Sequence, residues 1–129
     1  MPINNSKESI VYSKSKSRLV LRLAEELGID HKVLSIFWNR AKAKVALDHN
    51  CKLYVPDDYA IIVDIFKREI VKYFPDAVRK YPKLFPKELL KHRHEPIEPL
   101  GKVLKRYKQE IKEAKQKCNG AYQIVNNNK

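Results

Sequence analysis

Apolar residues recur every three or four positions between residues 59 and 74, and this spacing constrains the fold more than any other feature. It places one apolar stripe along a helix, predicted for residues 57–74, and that stripe is expected to be buried. Pro56 favours a first helical turn, and Asp57 and Asp58 complement the positive end of the helix dipole. The stripe consists of Tyr59, Ile62, Val63, Phe66, Ile70 and Phe74.

Two helices are predicted before it, and a glycine separates them. Ser15 or Ser17 can cap the first helix, which ends at Leu27. Gly28 permits the left-handed backbone with which helices commonly end, and Asp30 is placed to cap the next helix. Residues 1–14 are polar and dotted with lysine, so they are expected to form a flexible basic tail.

A β-hairpin is predicted for residues 43–55. Apolar residues alternate on both sides of the run Asp48-His49-Asn50, and these three residue types tolerate turn conformations. The segment 75–99 is divided by prolines into short turns and helices of one or two turns. A long C-terminal helix is predicted for 100–118, followed by a flexible tail at 119–129.

The C-terminal helix carries apolar residues at alternating intervals of four and three, which is a heptad seam surrounded by lysine and arginine. Two interpretations stay open: the seam packs on the domain itself, or it forms a homodimer through residues 100–118. The seam consists of Leu100, Leu104, Tyr107, Ile111, Ala114 and Cys118.

Composition indicates one domain and favours a polyanionic partner. The chain has 129 residues, 43% hydrophobic content and a net charge of +12, and its basic residues bracket a mildly acidic middle at 56–78. No apolar run is long enough to span a membrane, and the N-terminus has no hydrophobic signal core, so a cytoplasmic location is expected. Cys51 and Cys118 could pair in principle, but two buried or idle thiols are the prediction for a cytoplasmic chain.

The stretch from Arg22 to Arg40 resembles the helix-turn-helix of DNA-binding regulators, with the motif extending over residues 18–41. Ala24 lies where the two helices cross closely, and Gly28 makes the turn. With the predicted hairpin, the resemblance implies a mostly α fold of the winged helix-turn-helix type with a long C-terminal helix. The apolar positions that carry the resemblance are Leu23, Leu27, Ile29, Leu34 and Phe37.

This resemblance implies that the second helix enters the major groove of duplex DNA and that the hairpin contacts phosphates as a wing. Asn39 and Arg40 have the chemistry to read adenine and guanine edges. The alternative is a solvated basic face on two core helices, and Trp38 is expected in the core. The outward residues of the helix are His31, Lys32, Ser35, Ile36, Asn39 and Arg40, and the wing adds Lys42, Lys44 and Lys52.

A second resemblance is piecemeal. The run LVLRLAEELGIDHKVL is similar to helical parts of the ProQ/FinO RNA-chaperone domain, and KVALDHNCKLYV is similar to the hairpin of that family. The proline-rich segment resembles the opening region of the family but follows the hairpin here, and His49 replaces the turn glycine. This resemblance implies RNA as the alternative partner.

Enzymatic motifs are absent from the sequence, which has no glycine-rich phosphate loop and no GxSxG, HExxH or CxxC. His49, Cys51, His92 and His94 do not have the paired spacing of a zinc site, so neither a metal nor a cofactor is expected. The sequence therefore predicts a non-catalytic DNA-binding protein, such as a transcriptional regulator or accessory factor. The alternatives are an RNA-binding protein and a phage or mobile-element inhibitor that binds an acidic protein.

Overall fold

The structure, a computed structural model, describes residues 15–85 and 98–126. The expectation of a mostly helical chain is confirmed. The expectations for the tail at 1–14, for 86–97 with His92 and His94, and for 127–129 fall outside the described residues. In chain order the described elements are α1 (Ser15–Leu27), α2 (His31–Asp48), β1 (Lys52–Val55), α3 (Asp57–Tyr73), α4 (Pro75–Arg79), a 3-10 turn (Pro82–Leu84), α5 (Leu100–Lys117) and β2 (Gln123–Asn126).

The turn between α1 and α2 has the chemistry expected from its sequence. Gly28 has a φ of 71°, and the Ile29 N–H donates to the Ala24 carbonyl at 3.0 Å, a closure typical of the Schellman motif. The Asp30 side chain then caps α2 by accepting from the Lys32 N–H at 2.9 Å. These bonds satisfy backbone groups that helix ends leave without partners, so the two helices are joined by a short and ordered turn.

The prediction of a hairpin at 43–55 is wrong, because residues 43–48 are the last part of α2, which ends at Asp48. Alanine, lysine and leucine dominate residues 41–47, and all three favour helix. The polar run that was interpreted as a hairpin turn instead ends the helix, where Cys51 N–H donates to the Ala46 carbonyl at 2.7 Å. Asn50 and Cys51 have φ values of 55° and 67°, which turn the chain sharply into β1.

The strand β1 pairs with β2 rather than with a neighbouring strand. The two strands are parallel, with Lys52 opposite Gln123 and Val55 opposite Asn126. The expectation of a flexible tail at 119–129 is therefore wrong for 123–126. A parallel pair needs a long crossover connection, and here the crossover includes α3, α4 and α5.

The core is built around α2, which packs against α1, α3 and α5. Trp38 is fully buried, as expected, and its ring lies 5.2 Å from that of Phe66 and 5.8 Å from that of Tyr59. Phe37 lies 5.8 Å from Tyr107 of α5. The remaining largest fully buried side chains are Leu34, Leu53, Ile62, Ile70, Val20, Val78 and Val103.

The heptad seam of α5 faces the core of its own chain. Tyr107, Ala114 and Cys118 are buried, and Leu100 and Leu104 pack against the same core while half-buried. The surface on which the homodimer prediction for residues 100–118 rested is thus largely covered within one chain. Of the two interpretations of the seam, the described contacts favour the intramolecular one.

The two cysteines are bonded to each other, so the expectation of idle thiols is wrong. Cys51 follows α2 and Cys118 follows α5, and their Cα atoms lie 5.5 Å apart. The turn after α2 and the end of α5 come together because the two helices pack side by side. The disulfide therefore joins the beginning of the small sheet to the end of the last helix.

Candidate nucleic-acid interface

The helix α2 is exposed only at its two ends. His31 and Lys32 are exposed in its first turn, and Lys44, Leu47 and Asp48 are exposed near its last turn. Between them every residue is buried or half-buried, including Ser35 and Asn39, and Ile36 packs against the core. A helix that enters the major groove presents side chains to the bases along one face. The exposure of α2 does not suit that role.

Arg40, the predicted reader of guanine, points into the interface between α2, α3 and α5. Its guanidinium bonds Glu110 at 3.1 Å and Glu69 at 3.3 Å, and it lies 4.4 Å from the centre of the Tyr107 ring. Glu69 also accepts a hydrogen bond from the Tyr107 hydroxyl. Burial, followed by this bond to Glu69, raises the pKa of Tyr107 above its usual range. The group acts as an interhelical clamp and leaves the guanidinium engaged within the fold.

The three predicted wing lysines do not lie on a common hairpin. Lys42 is half-buried on α2, Lys44 is exposed on α2, and Lys52 is exposed at the start of β1. Lys44 and Lys117 of α5 line one groove of about 710 Å³ with the acidic residues Asp48, Glu110 and Glu113. The structure therefore brings Lys44 to α5 but leaves His31 and Lys32 at the opposite end of α2.

The outer face of α5 carries the densest group of exposed cations on one described helix. It bears seven lysine and arginine residues against two glutamates. None of its six lysines forms an ion pair with any residue in the ranges 15–85 and 98–126. The exposed cations are Lys102, Lys105, Arg106, Lys108, Lys112, Lys115 and Lys117.

Four of these lysines form a straight row, hereafter the lysine row: Lys105, Lys108, Lys112 and Lys115. Their spacing of three, four and three residues places them on one side of the helix, over a length of about 15 Å. Beside the row is an open depression of about 570 Å³, with the half-buried Ile111 and the chain at Asn119 and Gly120 in its lining. The row is thus a linear array of positive charges, each on a flexible side chain along one helix.

Acidic residues lie on the other side of α5, away from the lysine row. Arg106 bonds Glu98 and lies 3.6 Å from Glu110, and the hydrogen bond to Glu98 raises the pKa of the Arg106 guanidinium above its ordinary value. Glu113 accepts from the Gln109 amide at 3.1 Å. Carboxylates therefore neutralise one side of the helix and leave the lysine row uncompensated.

A further polar cluster lies where α2 meets β1. Asp58 is only 2% exposed and accepts hydrogen bonds from the Tyr54 N–H and from His49 Nδ1, each at 2.8 Å. The two donors offset the free-energy cost of burying this carboxylate. The cluster therefore stabilises the turn between α2 and β1. Within the described chain, no group of three or more histidine, cysteine, aspartate or glutamate residues is arranged to hold a metal ion.

No protein-family model matches the chain, and searches of curated proteins and of solved structures give no match either. Function must therefore be argued from the residues themselves. In the part of the chain that is described, no helix is both long enough and apolar enough to cross a bilayer.

The sequence contained a signal for the lysine row that the motif resemblance obscured. In the sequence, the lysines of α5 surround the heptad seam. Because Lys105, Lys108, Lys112 and Lys115 repeat at intervals of three and four, they predict a continuous basic stripe that flanks the seam. The carboxylate partners of Arg40 gave no such signal, since they come from two distant helices.

Proposed function

We propose that the protein binds duplex DNA without catalysis and that α5 provides the main contact surface. The observation that carries this proposal is the lysine row, four exposed lysines with no ion-pair partner among the described residues. Polyphosphate backbones attract such arrays because binding releases condensed counterions. A net charge of +12 adds a long-range field that speeds the encounter.

The chemistry of the row suits phosphates better than bases. Lysine is a compact point charge on a flexible stem, whereas base recognition relies on planar groups that donate two fixed hydrogen bonds. Arg40 has such a planar group but is held by Glu69 and Glu110. The proposal is therefore an accessory protein that binds DNA with little sequence preference, rather than a reader of a specific operator.

A duplex is favoured over single strands because the described part of α5 exposes no aromatic ring. Proteins that bind single strands stack bases on exposed aromatic side chains. The one aromatic residue of α5, Tyr107, is buried in the core at 2% exposure. A row of lysines without a stacking platform matches a regular phosphate backbone.

Binding of a fluorescent duplex, followed by anisotropy between about 50 and 200 mM salt, tests the proposal. The expected plot of log K against log salt is steep and linear. Changing all four lysines of the row to glutamine should make the slope shallower by about three to four units, since each phosphate contact contributes about 0.9. A flat plot, or no binding at the lowest salt, would refute the proposal.

The matched control replaces four exposed lysines outside α5 with glutamine, namely Lys32, Lys52, Lys80 and Lys83. It removes the same charge from the chain, so equal losses in both variants would show general attraction and not a site on α5. Structured RNA and an acidic protein serve as competitors. Tighter binding of either one than of the duplex would replace DNA with that partner.

A further inference from the structure

The disulfide between Cys51 and Cys118 lies at one end of the lysine row. Cys118 comes three residues after Lys115, and its N–H donates to the Ala114 carbonyl at 3.0 Å. The Gly120 N–H then donates to the Lys115 carbonyl at 2.7 Å. The last turn of α5, which carries the end of the row, is therefore closed by the residues next to the disulfide.

The chain just after the disulfide also forms part of the surface beside the row. Asn119 and Gly120 line the same depression as Lys108, Lys112 and Lys115. Asn119 has a φ of 56°, the left-handed backbone with which helices commonly end, and asparagine tolerates it. The adjacent Cys118 is covalently anchored, so the disulfide fixes the chain where α5 ends.

Apart from the disulfide, residues 119–126 are attached by a short strand pairing and by the packing of two side chains. The strand β2 pairs with β1 over four residues only, and its end residues Gln123 and Asn126 are exposed. Two-stranded pairings of this length are marginal on their own. Tyr122 and Ile124 pack against the core while half-buried, and the buried Tyr122 hydroxyl has no hydrogen-bond partner in the described structure. The disulfide at Cys118 adds a covalent attachment at the start of this segment.

We infer that the Cys51–Cys118 disulfide controls duplex binding: its reduction releases residues 119–126, loosens the last turn of α5 and weakens the contacts of Lys112 and Lys115. This inference rests on the proposed function, since it assigns a regulation to the same surface. Under this inference, binding depends on the redox state around the protein.

A low-molecular-weight thiol such as glutathione is the co-reactant. Its thiolate attacks Sγ of Cys51, because Cys51 is more exposed than Cys118. The bond between the two cysteines breaks, and Cys118 leaves as a thiolate and takes up a proton. A second glutathione thiolate then attacks the mixed disulfide and displaces Cys51 as its thiolate. The protein gains two electrons and two protons, and two glutathione molecules become one glutathione disulfide.

The test measures duplex binding by the full chain in glutathione buffers of increasing reducing strength. Reduction should weaken binding about tenfold at low salt and make the salt slope shallower by one to two units, because about two phosphate contacts lose their fixed placement. The double variant Cys51→Ser, Cys118→Ser should bind like the reduced chain and should not respond to glutathione.

Amide hydrogen exchange on the same samples identifies the cause. Amides of β2 should lose protection on reduction, while those of α2 keep theirs. Equal affinity and slope in both redox states would overturn this inference alone, and so would unfolding of the whole chain, because the proposed release is local. Absence of duplex binding in both states would overturn the proposed function together with this inference.

Discussion

Replacing Arg40 with alanine should destabilise the fold and leave the sequence preference of binding unchanged. The Arg40 side chain is 18% exposed, and its partners Glu69 and Glu110 are 12% and 38% exposed. Breaking a fully buried ion pair costs about 3–5 kcal/mol, whereas an exposed pair contributes about 0.2–1 kcal/mol. The Arg40–Glu69 pair is close to a fully buried ion pair, whereas the Arg40–Glu110 pair is closer to an exposed one.

The contact of the guanidinium with Tyr107 adds about 0.5–1 kcal/mol, and Glu69 keeps the Tyr107 hydroxyl as a donor, which limits the loss. We therefore expect Arg40→Ala to lower the free energy of unfolding by about 2–4 kcal/mol. Urea denaturation followed by far-UV circular dichroism measures this change. A double-mutant cycle with Glu69→Gln should give a coupling energy of about 1–2 kcal/mol.

Arg22→Ala is the matched control, since Arg22 pairs with Glu26 at 3.5 Å on an exposed helix face and should cost under about 0.5 kcal/mol. Duplex affinity of folded Arg40→Ala should stay within about twofold of the parent on every sequence, because its guanidinium contacts carboxylates and not bases. Unchanged stability together with a loss confined to one preferred sequence would refute this reasoning and restore Arg40 as a base reader.

Three other predictions concern single side chains. Because the pKa of Tyr107 is raised in the fold, its stabilising contribution is complete below the unfolded value of about 10 and is lost at higher pH; ultraviolet titration should show one fewer late-ionising tyrosine in Tyr107→Phe. Asp58→Ala should lower the free energy of unfolding in urea denaturation by about 1–3 kcal/mol, since it leaves the N–H of the half-buried Tyr54 without its acceptor. A comparable loss in the exposed Asp57→Ala would contradict this cause. Gly28→Ala should lower the free energy of unfolding by about 1 kcal/mol because of the positive φ alone, since no atom lies within 4 Å of the added Cβ. An unchanged midpoint of urea denaturation would contradict this prediction.

Local signals predicted the turn between α1 and α2 and the bounds of α3 well, but not the end of α2, which continues to Asp48. Gly28 and Asp30 have roles that depend on residues within five positions, so the sequence contains all the information they need. The helix predicted for 57–74 corresponds to Asp57–Tyr73 for the same reason, since its apolar period reports burial directly. Trp38 was placed in the core by the same kind of argument.

Pairings between distant residues were not predictable in this way. The partner of β1 is a strand from the other end of the crossover, and short alternating runs fit a helix or a strand equally well. Whether Cys51 and Cys118 form a disulfide depends on how α2 and α5 pack, and the residues around each cysteine do not indicate that packing. Arg40 has the chemistry of a base reader in isolation, and only the positions of Glu69 and Glu110 show that it is engaged elsewhere.

The central position of α2 has a consequence for biosynthesis. A ribosome delivers α2 before α5, but Phe37 needs Tyr107 of α5 to cover it, and the cysteines that join the ends of these helices are 67 residues apart in the chain. During that interval the nascent protein exposes apolar surface that chaperones recognise and that promotes aggregation. A chain truncated before α5 therefore has an uncovered core and is not a smaller folded domain. Quality-control proteases can remove such a product.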